Sequence, residues 1–291
     1  MVSSLIGAQF PDLAGLPVRA LGAGWDHQVF SVGTRWIFRF PRRAEGVPWL
    51  TREIEINAIV AGTLGPAVPV FERIGSASAS FPYPFVGYRW LPGRGADQAP
   101  VPDPSGLAAD IGRVLGAVHS VDVSHIPPTP EGWEYEPWSE LRGDLVAVAG
   151  HARPLLSPGL LARAEPYLAG RVAEPAQDGP WRFIHNDICP DHLIVDPRTG
   201  RLAGLIDFTD AMVGEPVLDF TGLIGLGGYA FIDRVLASYG LPLGDGFGAK
   251  LEWLTRTLTL TWLAETVADD PAGIRKHLAW VTHAFADPDE A

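Results

Sequence analysis

The sequence predicts an α+β fold in two lobes, a small β-rich N-terminal lobe and a larger helical C-terminal lobe. Three observations support this. Short β-rich apolar runs dominate up to residue 92, and the segment 93–104 is rich in Gly, Pro and Asp. Beyond it the apolar period becomes helical, except for one short hairpin near residue 200. Because strands and helices are segregated, an alternating parallel sheet is disfavoured, and we assign the lobes to 1–92 and 93–291.

The N-terminal lobe begins weakly and then shows a clear hairpin. Residues 1–20 contain two prolines and predict an extended or broken start. The runs 21–32 and 35–40 flank a Gly33-Thr34 pair, a two-residue turn typical of β-hairpins. Alternate residues of a strand face the same way, so three aromatic side chains of the second strand share one face: Trp36, Phe38 and Phe40.

One helix and two further strands complete this lobe. Residues 48–64 predict a helix with a mixed surface, which prolines at 66 and 69 bring to an end. Residues 68–74 and 85–91 are the strand candidates, and Pro92-Gly93 closes the second one. The expected N-terminal lobe is therefore mostly strands with one helix.

The C-terminal lobe opens with an apolar stripe at helical spacing: Leu107, Ile111, Leu115 and Val118. Further helical patterns cover 138–148, 159–172, 231–239, 248–266 and 271–284. Between them, short apolar runs around residues 183, 194 and 204 predict strands, and the turn chemistry of 197–200 joins the last two into a hairpin.

Composition narrows the class of protein. The formal charge is −12, and only Lys250 and Lys276 are lysines, so a nucleic-acid partner, which needs a clustered basic face, is not expected. The acidic balance suits solubility or a cationic substrate. The single Cys189 excludes an intrachain disulfide. We expect a cytoplasmic protein, since neither a leader pattern nor a membrane-length apolar run occurs.

Polar side chains stand where the short C-terminal strands begin or end. His185 and Asp187 follow the first strand, His192 precedes the second, and Asp207 follows the third. If the last two strands pair, His192 and Asp207 meet at the open end of the hairpin, with Asp187 on the loop above them. A free carboxylate beside a nitrogen–oxygen ligand pair suits Mg²⁺ held between the protein and a polyphosphate.

These motifs together resemble the aminoglycoside phosphotransferase family, whose members have the protein-kinase-like fold. The resemblance covers nearly the whole chain in order: the Gly22-x-Gly24 turn, a basic strand residue, a helix glutamate, the Pro92-Gly93 hinge, His185-Asn-Asp187-(x)4-His192 and Ile206-Asp207-Phe208. Two positions depart from the common pattern. Most members carry Asn at the position of His192, whereas the gentamicin-type aminoglycoside and macrolide phosphotransferases resemble this chain in placing His there. Kinases use Lys where this chain has Arg39, a permanent cation that also grips phosphate oxygens.

The resemblance implies a role for each catalytic position. Asp187 would be the base that orients a substrate hydroxyl and takes its proton. His192 and Asp207 would hold Mg²⁺, and His185 and Asp219 would support the loop that carries Asp187. If the resemblance is set aside, the ordinary interpretation of His192 is a histidine packed in a loop, and that of Asp187 is a solvated loop aspartate.

The resemblance also implies a site for the donor nucleotide, ATP or GTP. Arg39 would contact phosphates and be positioned by Glu53, with Glu55 as the alternative; a surface ion pair is the other interpretation. Gly22 and Gly24 would cover the phosphates, although an ordinary tight turn has the same sequence. The base would lie at the hinge formed by Tyr88, Trp90 and Leu91.

A small-molecule acceptor, expected to be a cationic antibiotic, would bind the C-terminal lobe. The candidate residues are acidic or aromatic: Asp210, Glu215, Trp262, Glu265, Asp269 and Asp270. Trp262 and Glu265 lie three apart on a predicted helix and so share a face. A core tryptophan beside a solvated glutamate is the alternative.

Four functions are compatible with these residues. An antibiotic O-phosphotransferase comes first, with an aminoglycoside-type substrate ahead of a macrolide. A metabolic small-alcohol or sugar kinase shares the fold. A metal-dependent phosphoester hydrolase would leave the N-terminal motifs without a use, and a nucleotide-binding pseudokinase would bind donor without turnover.

Overall fold

The computed structural model describes residues 2–23, 27–98, 101–130, 135–269 and 273–286. The first ninety or so of these residues contain the five strands of one sheet together with two α-helices, and helices dominate the rest. The predicted α+β arrangement, with a small β-rich part before a larger helical part, is confirmed.

The N-terminal lobe is built on a five-stranded sheet whose strands follow the order β1-β2-β3-β5-β4, with every neighbouring pair antiparallel. Its strands are β1 (Val18–Ala23), β2 (His27–Val32), β3 (Trp36–Pro41), β4 (Arg73–Gly75) and β5 (Phe85–Arg89). The predicted hairpin is present, but its turn has three residues where two were predicted: Val32 pairs with Trp36 across residues 33–35, and Gly33 has φ +59°. A positive φ is where glycine has no steric penalty.

Strand β3 lies at the centre of the lobe, with all six of its residues buried. The predicted face is confirmed, because Trp36, Phe38 and Phe40 pack together with Phe85 in one core. Ile37 points the other way, into a second core with Leu50 of helix α2 (Gly46–Leu64). The same face delivers Arg39 toward α2 and the C-terminal lobe.

Two predictions for this lobe are wrong. The start of the chain is a helix, α1 (Val2–Gln9), because Leu5 and Ile6 gain burial against the aromatic face of the sheet. The strand expected over 68–74 is reduced to Arg73–Gly75. Asn57 of α2 explains this: its amide bonds the Pro69 carbonyl oxygen and the Phe71 N–H, so these backbone groups have no need of a strand partner.

The Gly-, Pro- and Asp-rich segment that separates the two predicted lobes, 93–104, is attached to the C-terminal lobe. Its strand β6 (Arg94–Gly95) pairs with β8 (Leu193–Val195), which pairs with β9 (Leu202–Leu205) to form the predicted hairpin. Strands β7 (Arg182–Ile184) and β10 (Met212–Gly214) form a separate antiparallel pair. The side chain of Asp103 then caps the next helix by accepting the Gly106 N–H at 2.9 Å.

Helices pack around these small sheets. They are α3 (Pro104–Val118), α4 (Trp138–Ala152), α5 (Pro158–Leu168), α6 (Leu218–Thr221), α7 (Gly228–Leu236), α8 (Phe247–Asp269) and α9 (Ile274–Ala284). The predicted apolar stripe of α3 is buried in one core with residues of the other helices. Helix α4 packs against α8, where the Trp138 and Trp253 rings stack with centroids 6.0 Å apart. Among the described residues, none of the helices has the length and apolar character needed to cross a membrane.

Candidate active site

A loop between β7 and β8 holds the first predicted site residues, and one carboxylate fixes its backbone. The two oxygens of Asp219 accept the N–H groups of His185 at 2.8 Å and of Asn186 at 2.7 Å. Asn186 has φ +64°, a conformation that a non-glycine residue adopts only when its surroundings hold it there. The fully buried Asp219 therefore sets the direction in which the chain leaves β7.

His185 ties the same loop to the end of β9. Its Nε2 donates to the Ile206 carbonyl oxygen at 3.0 Å, and its Nδ1 lies 3.3 Å from the Asp187 N–H, which it accepts. Burial lowers the pKa of His185, so the neutral ring needed for this donor–acceptor pair is favoured. Both contacts of the His185 ring are to backbone groups, as expected for a residue that supports the loop carrying Asp187.

Asp187, His192 and Asp207 converge as the hairpin geometry predicts. His192 Nδ1 lies 2.9 Å from the Asp187 carbonyl oxygen and 3.3 Å from its carboxylate, and His192 Nε2 lies 4.0 Å from Asp207 Oδ2. Burial lowers the pKa of His192, but the carboxylates of Asp187 and Asp207 outweigh it and raise that pKa. The Asp187 side chain keeps 43% exposure, so it can meet a ligand.

The pair His192 and Asp207 passes a simple test as ligands of a cation. Mg²⁺ binds ligands at about 2.0–2.1 Å, so two opposite ligands of one ion lie about 4.2 Å apart. The Nε2–Oδ2 separation of 4.0 Å is within that span. Asp187, Cys189 and His192 form another potential ligand group. Burial raises the pKa of the Cys189 thiol far above its ordinary value, which disfavours the thiolate that a metal needs.

Asp207 connects this hairpin to the N-terminal lobe. Its backbone has φ +70°, and its Oδ1 accepts from Arg39 Nη2 at 3.0 Å and from Thr209 Oγ1 at 2.7 Å. Burial raises the pKa of Asp207, but Arg39, His192 and the Thr209 hydrogen bond outweigh it, and the pKa lies well below its usual range. The carboxylate is ionised, with Oδ2 facing His192.

Arg39 is the centre of a buried network. Its Nη1 donates to Glu53 Oε1 at 2.7 Å, and its Nη2 also reaches His27 Nδ1 at 3.1 Å. Glu53 accepts a further bond from the Phe208 N–H at 3.2 Å. Burial raises the pKa of Glu53, and Arg39 opposes that rise. Glu55 is exposed, so Glu53 is the partner of Arg39.

The other predicted nucleotide residues are placed less uniformly. Gly22 lies at a register shift in β1, and Gly24 falls outside the described residues. Tyr88 lines the same cleft as Arg39, and burial raises its pKa to about 12. Trp90 is 41% exposed, and its backbone N–H donates to the Arg35 carbonyl oxygen. Leu91 packs over Gly204 of β9. Neither Trp90 nor Leu91 lines the cleft. The hinge role of Tyr88, Trp90 and Leu91 stays a prediction.

The cleft between the lobes encloses about 1170 Å³, and three of the six predicted acceptor residues line it. Asp210, Trp262 and Glu265 are among them, and the shared face of the last two is confirmed by their common position. Asp269 is the last residue of α8, and Asp270 lies outside the described residues. The sequence analysis missed several lining residues that lack any motif: His27, Trp49, Tyr135, Glu136 and Trp280.

Glu215 is the exception, and the expectation that it meets an acceptor is wrong. It is 2% exposed and does not line the cleft. Its carboxylate accepts from Lys250 Nζ at 2.7 Å and from the Gly179 N–H at 3.2 Å. A carboxylate that is desolvated and already paired has no free acceptor atoms for a ligand in the cleft.

The fold and this cleft define a class: a two-lobed, protein-kinase-like phosphotransferase fold. The chain belongs to the phosphotransferase enzyme family APH, whose sequence model matches residues 17–254.

Solved structures agree with this assignment. The chain is 25% identical to wild-type aminoglycoside 2'-phosphotransferase-IIIa, solved as a GDP complex, with 97% of each chain covered and a TM-score of 0.75. It shares the fold of macrolide 2'-phosphotransferase MphH from Brachybacterium faecium, at 23% identity, with 96% of this chain and 97% of that chain covered and a TM-score of 0.66. YcbJ of Bacillus subtilis (strain 168) is 34% identical over 70 residues, which span 24% of this chain and 22% of that protein.

Proposed function

We propose that this protein transfers the γ-phosphate of ATP or GTP, with Mg²⁺, to a hydroxyl group of a small molecule, most readily an aminoglycoside-type antibiotic. One observation carries the proposal. The exposed carboxylate of Asp187, the facing pair His192 and Asp207, and the cation Arg39 all line one cleft between the lobes. Family membership supports the phosphotransferase chemistry.

Asp187 has the position and freedom that a base for an acceptor hydroxyl needs. Its backbone is held by His185 and His192, while its carboxylate remains partly exposed. It orients the hydroxyl and takes its proton as the bond to phosphorus forms. Phosphoryl transfer passes through a loose transition state, so placement of the nucleophile matters more than strong basicity.

The phosphates of the donor nucleotide would be bound by Arg39 directly and by His192 and Asp207 through Mg²⁺. Arg39 is fixed by Glu53 and so presents its charge without losing side-chain entropy on binding. His192 and Asp207 would hold Mg²⁺, which when bound neutralises charge on the phosphate oxygens. Asp207 is ionised at neutral pH, as a magnesium ligand must be.

The side of the cleft formed by the C-terminal lobe, which we call the acceptor wall, suits a cationic ligand that contains sugar rings. Three carboxylates line it, Glu136, Asp210 and Glu265, beside the rings of Tyr135 and Trp262. Burial raises the pKa of Glu136, and its acidic neighbours Asp144 and Glu140 raise it further. A polyamine sugar would relieve that repulsion by charge and stack on the aromatic rings. The 25% identical aminoglycoside 2'-phosphotransferase also supports this class.

A radiolabel screen tests the proposal. The protein is incubated with Mg²⁺ and γ-³²P-labelled ATP or GTP, in turn with aminoglycosides, macrolides, tuberactinomycin-type peptides, and small alcohols or sugars. We expect labelled aminoglycoside and acceptor-dependent release of ADP or GDP. Label on a macrolide or on a simple sugar would move the protein to that substrate class. Nucleotide binding without transfer to any acceptor would contradict the proposal and favour a pseudokinase.

A further inference from the structure

His27 is a cleft residue to which the proposed reaction gives no task. It is the first residue of β2, and it is 5% exposed. Its ring lines the cleft together with Arg39 and Asp207. Nothing in the motifs marks this position, so its role has to come from the geometry.

The contact with Arg39 fixes which nitrogen of His27 carries the proton. His27 Nδ1 lies 3.1 Å from Arg39 Nη2. A guanidinium group can only donate, so Nδ1 must present its lone pair, and the proton of the neutral ring is on Nε2. Burial, and next the charge of Arg39, lower the pKa of His27 to about 3, so the ring stays neutral at physiological pH.

The resulting Nε2–H donor has no acceptor among the described residues, although it is buried. An unsatisfied buried donor costs free energy and is uncommon in folded proteins. It becomes satisfied if the ligand of the cleft brings an acceptor atom to it. The donor belongs to the same wall as Arg39, whereas the carboxylates of the acceptor wall lie on loops and helices of the C-terminal lobe.

We infer that the Nε2–H of His27 donates a hydrogen bond to a phosphate oxygen of the donor nucleotide. The inference rests on the proposed function, because it requires the donor nucleotide to bind on the side of the cleft that holds Arg39 and His27. A phosphate chain is rich in acceptors and is drawn there by Arg39. A neutral donor adds a directed bond without a second cation beside the guanidinium, so Arg39 supplies charge and His27 supplies direction.

Two substitutions of matched chemistry separate the two nitrogens of this ring. His27→Asn keeps a short side chain whose oxygen can replace Nδ1 as the acceptor for Arg39, but it lacks the distal donor. His27→Gln keeps an N–H at about the reach of Nε2. We expect His27→Asn to weaken ATP or GTP binding by about ten-fold or more, since the lost bond has a charged acceptor. His27→Gln should stay within about threefold of the wild type, and the nucleosides adenosine and guanosine should bind all three proteins equally.

Isothermal titration of each protein with triphosphate, diphosphate and nucleoside gives these affinities, and circular dichroism checks the fold. Equal triphosphate affinity in His27→Asn and the wild type would overturn the inference while leaving the proposed function intact. Parallel loss of nucleoside affinity would also overturn it, since that indicates a distorted site. A wild type that binds no nucleotide would remove both.

The wild-type protein offers an independent measurement if His27→Asn does not fold. A long-range ¹H–¹⁵N spectrum should show His27 protonated on Nε2, and ATP or GTP should shift that Nε2 resonance as its hydrogen bond forms. A ring protonated on Nδ1, or an Nε2 resonance that saturating nucleotide leaves unmoved, would contradict the inference; the latter result indicates that only water meets this donor.

Discussion

Two buried ion pairs of the molecule begin alike and end differently. Arg39 meets Glu53 and Lys250 meets Glu215, each at 2.7 Å, and the two carboxylates are 1% and 2% exposed. Arg39 has further N–H groups that reach His27, Asp207 and Thr209 at the cleft. Lys250 directs its remaining donors to Asp178 and to the Gly179 carbonyl oxygen, outside the cleft.

The difference shows that burial and pairing alone do not identify a functional charge. Each cation binds a second carboxylate, but the guanidinium of Arg39 reaches Asp207 at the cleft, whereas the ammonium of Lys250 reaches Asp178 and so holds a loop against α8. What separates the two is the third partner. For Arg39 that partner is Asp207, which faces His192.

Breaking the first pair should have the largest effect. In Arg39→Met, Glu53 is left buried without its cation and the phosphates lose a fixed charge. We expect kcat/KM for phosphate transfer to fall by about 10²-fold or more, and the free energy of unfolding to fall by about 3–5 kcal/mol. Steady-state kinetics and urea unfolding measure the two. Wild-type kinetics in Arg39→Met would remove Arg39 from the site.

Breaking the second pair should affect stability alone. Lys250→Met leaves Glu215 buried and uncompensated, so the free energy of unfolding should fall by about 3–5 kcal/mol. The kcat of the folded protein should stay within about threefold of the wild type, because the hydrogen-bond partners of Lys250, which are Asp178, Gly179 and Glu215, do not line the cleft. The double variant Lys250→Met/Glu215→Gln should recover part of the loss. A kcat that falls as far as in Arg39→Met would erase the distinction between the pairs.

Acid should lower the stability of the protein through His27, the imidazole that contacts Arg39 of the first pair. The pKa of His27 is lowered to about 3 in the folded protein. Between pH 6.5 and 3, therefore, His27 is protonated in the unfolded chain and neutral in the folded chain. Stability contributed by the neutral ring is therefore present above pH 6.5 and is lost as the pH falls. Between pH 6.5 and 5 the wild type should lose about 2 kcal/mol more than His27→Asn. Urea unfolding at the two pH values measures this; equal losses would contradict the assigned state of His27.

The smallest expected effect concerns the carboxylate that Arg39 holds. His192→Ala removes one of the two facing groups of the suggested metal site and leaves Asp207 with Arg39. We expect the Mg²⁺ concentration for half-maximal transfer to rise by about ten-fold. Lys250→Met serves as the matched control. A metal titration identical to that of the wild type would exclude His192 as a ligand.

The sequence predicted the features that depend on local spacing. The hairpin of β8 and β9 needs only a turn and two apolar runs, and it brings His192 to Asp207. The aromatic face of β3 follows from alternation. The start of the chain could not be predicted this way, because α1 depends on burial of Leu5 and Ile6 against a sheet formed later in the sequence.

The errors at the site also involve partners distant in sequence. Glu215 resembles a free carboxylate near the catalytic motif until Lys250, 35 residues further on, is seen to bind it. His27 gave no signal because its significance lies in one contact with Arg39 on the neighbouring strand. Glu136 lies in an irregular segment before α4, where no periodicity indicates which way a side chain faces.

Removing the carboxylate of Asp187 tests the central claim most directly. Single-turnover phosphate transfer and nucleotide affinity are measured for the wild type and for Asp187→Ala, with an acceptor identified by the radiolabel screen. A positioned base contributes about 10²–10⁴-fold, so transfer by Asp187→Ala should fall by at least about 10²-fold while the nucleotide Kd stays within about threefold. Transfer above about a hundredth of the wild-type rate would contradict the account.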